Sequence, residues 1–224
     1  MLTDFEKVRN WSEYDFEVPA QEIKKLSDRW LLIDYGEVIS TAMSNRNISE
    51  MAILADQDQS EFLHRYWDFR RSYDLGQSRH EYWSAVLGKE LLANSVLVED
   101  LDQIDVASWA DTNAEMLTLL EKLAIESSLR LGLLSNAPES IAANIESSEW
   151  AKIFDQRLFS CHLGLAKPDP RIFKIAMKAL GVEAGSILFV DDRIENTMIA
   201  SSLGIDALHF TSCEDLCVRL RQWL

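Results

Sequence analysis

Apolar residues gather along the chain in short, unbroken runs rather than in alternation, the pattern of strands buried on both faces of a parallel sheet. Such runs cover Trp30 to Ile33, Leu129 to Leu134 and Ser186 to Val190, with a weaker one from Asp206 to Phe210 and a further short candidate from Asp155 to Ser160. Helical periodicity lies between them. Met116, Leu119, Leu120 and Leu123 share one face of a helix over Thr112 to Glu126. A helix from Pro170 to Leu180 starts with proline and stops at Gly181, and one from Ile194 to Leu203 stops at Gly204. Strand and helix alternating at this rhythm predict an α/β fold, a doubly wound parallel sheet.

One stretch interrupts the rhythm. Residues 44–110 hold no strand-like run, only helical patterning rich in Phe62, Tyr66, Trp67, Phe69, Tyr73, Tyr82 and Trp83. This stretch reads as a helical insertion after the first strand, with the aromatic stripe as its packed core. Residues 29–43 and 111–224 then form the α/β core. Residues 1–28 read as an N-terminal extension with room for two short helices around Pro19.

Composition narrows the range of partners. The chain has 224 residues, 47% of them hydrophobic, and a formal net charge of −15. A surface so acidic, with no basic run, disfavours nucleic acid and anionic membranes, which need phosphate neutralisation by Lys and Arg. No apolar stretch reaches the roughly 20 residues that span a bilayer, and Met1 to Asn10 lacks the apolar core of a signal peptide. A cytoplasmic location is therefore expected, with Cys161, Cys213 and Cys217 as reduced, structural thiols. A cap rich in Trp and Tyr leaves a homo-oligomer open.

In a doubly wound sheet the ligand lies beyond the carboxyl ends of the strands, so the residues that follow each apolar run carry the chemistry. Ile33 is followed by Asp34-Tyr35-Gly36-Glu37, Leu134 by Ser135-Asn136-Ala137, and Val190 by Asp191-Asp192-Arg193. The 155–160 run leads into Gly164-Leu165-Ala166-Lys167-Pro168-Asp169-Pro170. Taken singly, each is ordinary: an Asp after a strand is usually a turn former or helix cap, and Ser-Asn-Ala suits the start of a helix near Pro138. Taken together they deliver carboxylates, a hydroxyl, an amide and an ammonium to one crevice. Carboxylates so gathered call for a cation, and oxygen-only donors select Mg²⁺ before Ca²⁺. Lys167 is suited to a phosphate or to a nucleophilic carboxylate, and Ser135 and Asn136 to a transferring phosphoryl group.

These motifs resemble the haloacid dehalogenase (HAD) superfamily from Trp30 to about Phe210. Leu-Leu-Ile-Asp34-Tyr-Gly-Glu-Val-Ile is similar to the family's nucleophile motif, and Leu-Leu-Ser135-Asn136-Ala to its second. Gly164 to Phe173 matches the string Gly-x-x-Lys-Pro-Asp-Pro-x-Ile-Phe in full, and Val-Asp191-Asp192-Arg-Ile-Glu-Asn196 with Ala200 and Gly204 is similar to the fourth. The resemblance implies a Rossmann-like HAD core with residues 44–110 as a C1-type cap, and an Mg²⁺-dependent phosphomonoester hydrolase acting on a small phosphorylated metabolite. By position, Asp34 is the nucleophile that forms an aspartyl phosphate. Ser135 and Lys167 hold the phosphoryl oxygens, with Asn136 and Glu37 toward the substrate. The metal falls to Asp34, the carbonyl of Gly36, Asp191 and Asp192, with Asp191 in support.

One departure stands out. Phosphatases of this class usually carry a second Asp two positions after the nucleophile as general acid–base, and that position here is Gly36. Such catalysis is worth about 10²–10⁴-fold. A subset of the family does read Asp-x-Gly. Glu37 and His64 are candidate substitutes, His64 being more readily a structural residue. Two alternatives remain: a catalytically weak or inactive HAD-fold binding protein, and a metal-independent haloacid dehalogenase, which would have little use for Asp191 and Asp192. Arg65, Arg70, Arg71 and Arg79 of the cap are expected to be solvated rather than to meet a second anionic group.

Overall fold

The computed structural model describes residues 28–224. The expected extension over 1–28, with its helices around Pro19, lies outside the described residues except for Asp28. Five strands, β1 (Trp30–Ile33), β2 (Arg130–Ser135), β3 (Gln156–Phe159), β4 (Ile187–Asp191) and β5 (Asp206–His209), form one sheet in the order β3-β2-β1-β4-β5. Every pairing is parallel, with β1 central between β2 and β4. The α/β parallel sheet expected from the apolar runs is the observed fold.

Alternate residues of the strands enter different cores. Leu31, Ile33, Leu131, Leu133, Leu188 and Val190 pack on one face, while Trp30, Leu32, Leu134, Ile187 and Phe189 pack on the other. This explains why the strands read as continuous apolar runs: both pleat directions are covered by helices. The first face is covered by α5 (Ala114–Glu126), α6 (Glu139–Ser147) and α10 (Cys213–Trp223), the second by α8 (Pro170–Leu180) and α9 (Ile194–Ser202). A single turn, α7 (Ser160–Leu163), follows β3.

Local chemistry sets these boundaries. Asp169 caps α8 by accepting from the Arg171 amide, Pro170 fills its first turn, and Gly181 ends it at φ 70°, a left-handed conformation that suits glycine. The strand expected to run to Ser160 stops at Phe159, because Ser160 opens α7 and its hydroxyl accepts from the Ala137 amide.

Between β1 and α5 lie α1 (Asn45–Leu54), α2 (Gln59–Asp74), α3 (Arg79–Leu87) and α4 (Val96–Ala110), which bury their own apolar cluster around Phe62, Tyr66, Tyr73, Tyr82 and Trp83. Tyr73 and Tyr82 stack with ring centroids 4.2 Å apart. Two members of the aromatic stripe do not belong to this core: Trp67 and Phe69 are 47% and 36% exposed, and Trp67 packs edge-on against Trp109. Gly76 turns the chain from α2 into α3 at φ 99°, and a Cβ there would lie 3.2 Å from the Cys161 carbonyl oxygen. The end of α2 is thereby held against α7, with the Ser160 hydroxyl donating to the Asp74 carbonyl.

Candidate active site

The carboxyl ends of β1, β2 and β4 open into a cavity of about 480 Å³, within the range of small-molecule sites. Asp34, Gly36, Glu37, Ser135, Asn136, Lys167 and Asp192 all line it. Asp34 continues β1, its amide donating to the Val190 carbonyl at 2.9 Å. At the floor of the cavity the Lys167 ammonium, only 2% exposed, lies 2.7 Å from Asp34 Oδ1 and 2.6 Å from Asp191 Oδ2.

Asp191 is the last residue of β4 rather than the first beyond it, and it is fully buried. Its oxygens are engaged: Oδ2 by Lys167, Oδ1 by the Arg193 amide at 2.9 Å and by Asn196 Nδ2 at 2.8 Å. That arrangement fits a group that orients Lys167. Asp192, beside it, faces the cavity half-buried. Asn136 is committed as well. Its Nδ2 donates to the Lys167 carbonyl at 2.9 Å and its Oδ1 accepts from the Lys167 amide at 2.8 Å, so both ends of the amide clamp the Lys167 loop. Neither Ser135 nor Asn136 caps α6. Ser135 ends β2, buried, and among the described residues its hydroxyl makes no hydrogen bond, leaving it available to a ligand.

Ligand oxygens of Asp34, Asp191 and Asp192 lie within 4.8 Å of one another. Burial pushes the Asp34 carboxyl up to about 8, against the pull of the Lys167 ammonium, and Asp191 and Asp192 add repulsion. Burial, then repulsion from Asp191 and Glu37, raises Asp192 to about 6. For Lys167, burial opposes the charged form, but the two carboxylates in contact outweigh it and hold the ammonium above its ordinary range. The donor set, all oxygen and crowded with negative charge, fits a hard divalent cation, which would relieve that repulsion.

Three lining residues carried no signal in sequence, Asp74 from α2, Trp109 from α4 and Ile141 from α6. Trp67 and Arg70 from α2 also line the cavity, against their expected places in the packed core and in solvent. Arg70 is the main correction to the solvated-arginine expectation. It is buried, donating Nε to Asp74 at 2.9 Å and Nη1 to Asp105 and the Tyr66 hydroxyl. Of the other three, Arg65 donates to the Val86 and Ala85 carbonyls, Arg79 pairs with Glu99 at 2.8 Å, and Arg71 is exposed. His64 is exposed beside Asp68 and does not line the cavity. A Cβ at Gly36 would lie 3.7 Å from the Trp109 ring, so the indole flanks the place of the missing side chain. Cys161, Cys213 and Cys217 are free and stand away from the cavity.

Comparison with known proteins adds the following. A family model for haloacid dehalogenase-like hydrolase matches residues 15–204. A phosphatase of Mycobacterium tuberculosis is 32% identical over 108 residues, 47% of this chain and 49% of that protein. A sesquiterpene phosphatase of Aspergillus oryzae is 35% identical over 74 residues, 33% of this chain and 37% of that protein. The chain thus spans less than half the length of these curated relatives. Among solved structures, the magnesium complex of a HAD family enzyme from Bacteroides thetaiotaomicron superposes with a TM-score of 0.69 at 23% identity, covering 86% of this chain and 98% of that one. A complex of that enzyme with magnesium and inorganic phosphate gives 0.66 at 22%, covering 84% and 98%. At such identities the likeness is one of fold. Among the described residues no helix is long and apolar enough to cross a membrane.

Proposed function

This chain belongs to the haloacid dehalogenase-like hydrolase family, and from that premise we propose that it is an Mg²⁺-dependent phosphomonoester hydrolase using Asp34 as nucleophile. The observation that carries the reading is the contact of Lys167 with both Asp34 and Asp191 on the floor of a cavity that Asp192 and the Ser135 hydroxyl also face. A haloacid dehalogenase needs no cation and has little use for this acidic cluster. Phosphatases among the relatives, and a fold neighbour holding magnesium and inorganic phosphate, support the same choice.

In this mechanism an Asp34 oxygen attacks phosphorus and forms an aspartyl phosphate, which water then hydrolyses. Ser135 donates to a phosphoryl oxygen, and Lys167 neutralises charge on the nucleophile and the phosphoryl group. Asn136 acts by holding the Lys167 loop, and Glu37 stands at the substrate's side of the rim. Asp34, the Gly36 carbonyl and Asp192 would hold Mg²⁺, with Asp191 behind them; bound there, the ion supplies charge neutralisation for the phosphate. Residues 44–110 act as a cap over the core formed by 29–43 and 111–224, and the cavity accommodates a small phosphorylated metabolite.

The test is hydrolysis of para-nitrophenyl phosphate with Mg²⁺ and with EDTA, in wild type and in Asp192→Asn. Turnover that disappears with EDTA, and is lost together with Mg²⁺ binding in the variant, is expected; metal-independent turnover would sink the reading. The pH dependence of binding follows from Asp34 and Asp192 together. Their carboxyls are raised to about 8 and about 6, so protons compete with the cation at both. Mg²⁺ affinity measured calorimetrically should fall as pH drops below about 8, more steeply once it passes below about 6, and level off only above the higher value.

A further inference from the structure

Resting on the phosphatase reading, we infer that Asp74, at the end of α2, is the general acid–base of this hydrolase and takes the role that Gly36 cannot fill. Four groups of carboxylate oxygens face the cavity, from Asp34, Glu37, Asp74 and Asp192. Asp34 is the nucleophile, and Asp192 belongs to the acidic cluster fit for a cation. Glu37 is exposed at the rim, and among the described residues nothing hydrogen-bonds its carboxylate. Asp74 differs from it in being held.

The hold is specific. Asp74 Oδ1 accepts from Arg70 Nε at 2.9 Å. Arg70 is itself fixed by Asp105, wholly buried, and by the Tyr66 hydroxyl. Among the described residues Oδ2 accepts no hydrogen bond, and the residue lines the cavity, so one oxygen is clamped and the other is open to a substrate. Trp109, which flanks the vacant side-chain position of Gly36, donates its indole N–H to the same Tyr66 hydroxyl at 3.1 Å. The clamp that orients Asp74 and the wall beside Gly36 are therefore one hydrogen-bonded unit.

Its charge environment suits a group that gives and takes a proton. Two buried carboxylates, Asp74 and Asp105, share the single guanidinium of Arg70, with Arg193 facing Asp74 from the loop after β4. Burial raises Asp74 above the ordinary carboxylate range, and Arg70 opposes the rise. In the first half-reaction an Asp34 oxygen bonds to phosphorus, the phosphorus–oxygen ester bond breaks, and the leaving oxygen keeps the electron pair and takes the Asp74 proton. In the second, the Asp74 carboxylate takes a proton from water as its oxygen bonds to phosphorus. The phosphorus–oxygen bond to Asp34 breaks, Asp34 regains its carboxylate, and inorganic phosphate leaves.

An activated aryl leaving group needs no proton, whereas an alkyl alkoxide does. Asp74→Asn should therefore release one equivalent of nitrophenolate per active site in a rapid burst from para-nitrophenyl phosphate, followed by turnover slowed about 10²–10⁴-fold. It should also lose n-butyl phosphate hydrolysis by a similar factor without any burst. Asp74→Glu, which keeps a carboxyl on the Arg70 clamp, should recover part of the butyl phosphate turnover. Wild-type turnover of both esters by the Asn variant would overturn the assignment. So would equal loss of burst and turnover on both esters with a Glu variant no better than Asn, the signature of a structural role. A wild type inert toward both esters overturns the phosphatase reading, and the assignment with it.

Discussion

Asp34→Asn should abolish phosphate-ester hydrolysis, by on the order of 10⁴-fold or more, without weakening the fold. The amide has nearly the shape of the carboxylate but presents no anion to phosphorus, so no aspartyl phosphate forms. Its effect on stability has the opposite sign to its effect on turnover. Burial and the neighbours Asp191 and Asp192 push the native Asp34 carboxyl up to about 8, so its ionised form is disfavoured in the folded chain. Such a group, raised above its unfolded range, costs stability as pH rises from the ordinary carboxylate range towards about 8. A neutral amide removes that cost, although it gives up part of the Lys167 contact. At neutral pH and without metal, the variant should melt no lower than wild type, while its gain in melting temperature with Mg²⁺ shrinks. Thermal melts with and without Mg²⁺, run beside steady-state rates, check both halves. Turnover within tenfold of wild type would remove Asp34 as the nucleophile.

Much of the architecture was legible in sequence because parallel strands buried on both faces must be continuously apolar. Trp30 to Ile33 is the plainest case, since its residues alternate between two cores and neither face tolerates a polar group. The strand ends were legible to within a residue, and that residue matters. Ser135 and Asp191 are the last members of β2 and β4, which fixes their backbones in the sheet instead of in the loops beyond. What each polar group touches was not legible. Nothing in the spacing of Asn136 and Lys167 says that an amide clamps a loop 31 residues away.

The helical segment was the harder part to read. Phe62, Tyr66 and Tyr73 share the buried face of α2, whereas Phe69 is partly exposed and Trp67 lines the cavity against Trp109, and hydrophobicity alone does not separate them. The burial of Arg70 depends on Asp105, which arrives from α4, 35 residues on. An arginine whose only acid at helical spacing is Asp74 reads as a solvated surface pair. Its burial becomes favourable only when the tertiary fold supplies a second carboxylate and a phenol. Trp109 was invisible for a similar reason: it lies at the end of α4, and its place in the site is set by the Tyr35 hydroxyl donating to its carbonyl.

Lys167→Met should be the most destabilising single change in the site. The ammonium is enclosed with Asp34 and Asp191, and all three are close to fully buried. Removing one partner of a buried ion pair typically costs about 3–5 kcal/mol, because the uncompensated charge stays behind. Here Asp191 stays behind without its counter-charge, and Asp34 beside it is driven further toward its protonated form. In wild type the Lys167 ammonium is held above its ordinary range, so its contribution is complete at neutral pH and is lost only as alkali carries the solution through that raised value. The variant should therefore differ most from wild type at neutral pH. Acidification should narrow the gap, because protonating Asp34 removes the repulsion that lysine had balanced. Mg²⁺ should raise the melting temperature of the variant more than that of wild type, since the cation takes over part of the lost neutralisation. Turnover should not return with it, because a cation bound by Asp34 and Asp192 does not reproduce the donor at the Asp34 oxygen that Lys167 contacts. Urea unfolding at acid and neutral pH, with and without Mg²⁺, measures each of these differences. A variant as stable as wild type at neutral pH would mean that Lys167 balances no charge in the native site, and that it does not hold Asp34 as an anion ready to attack.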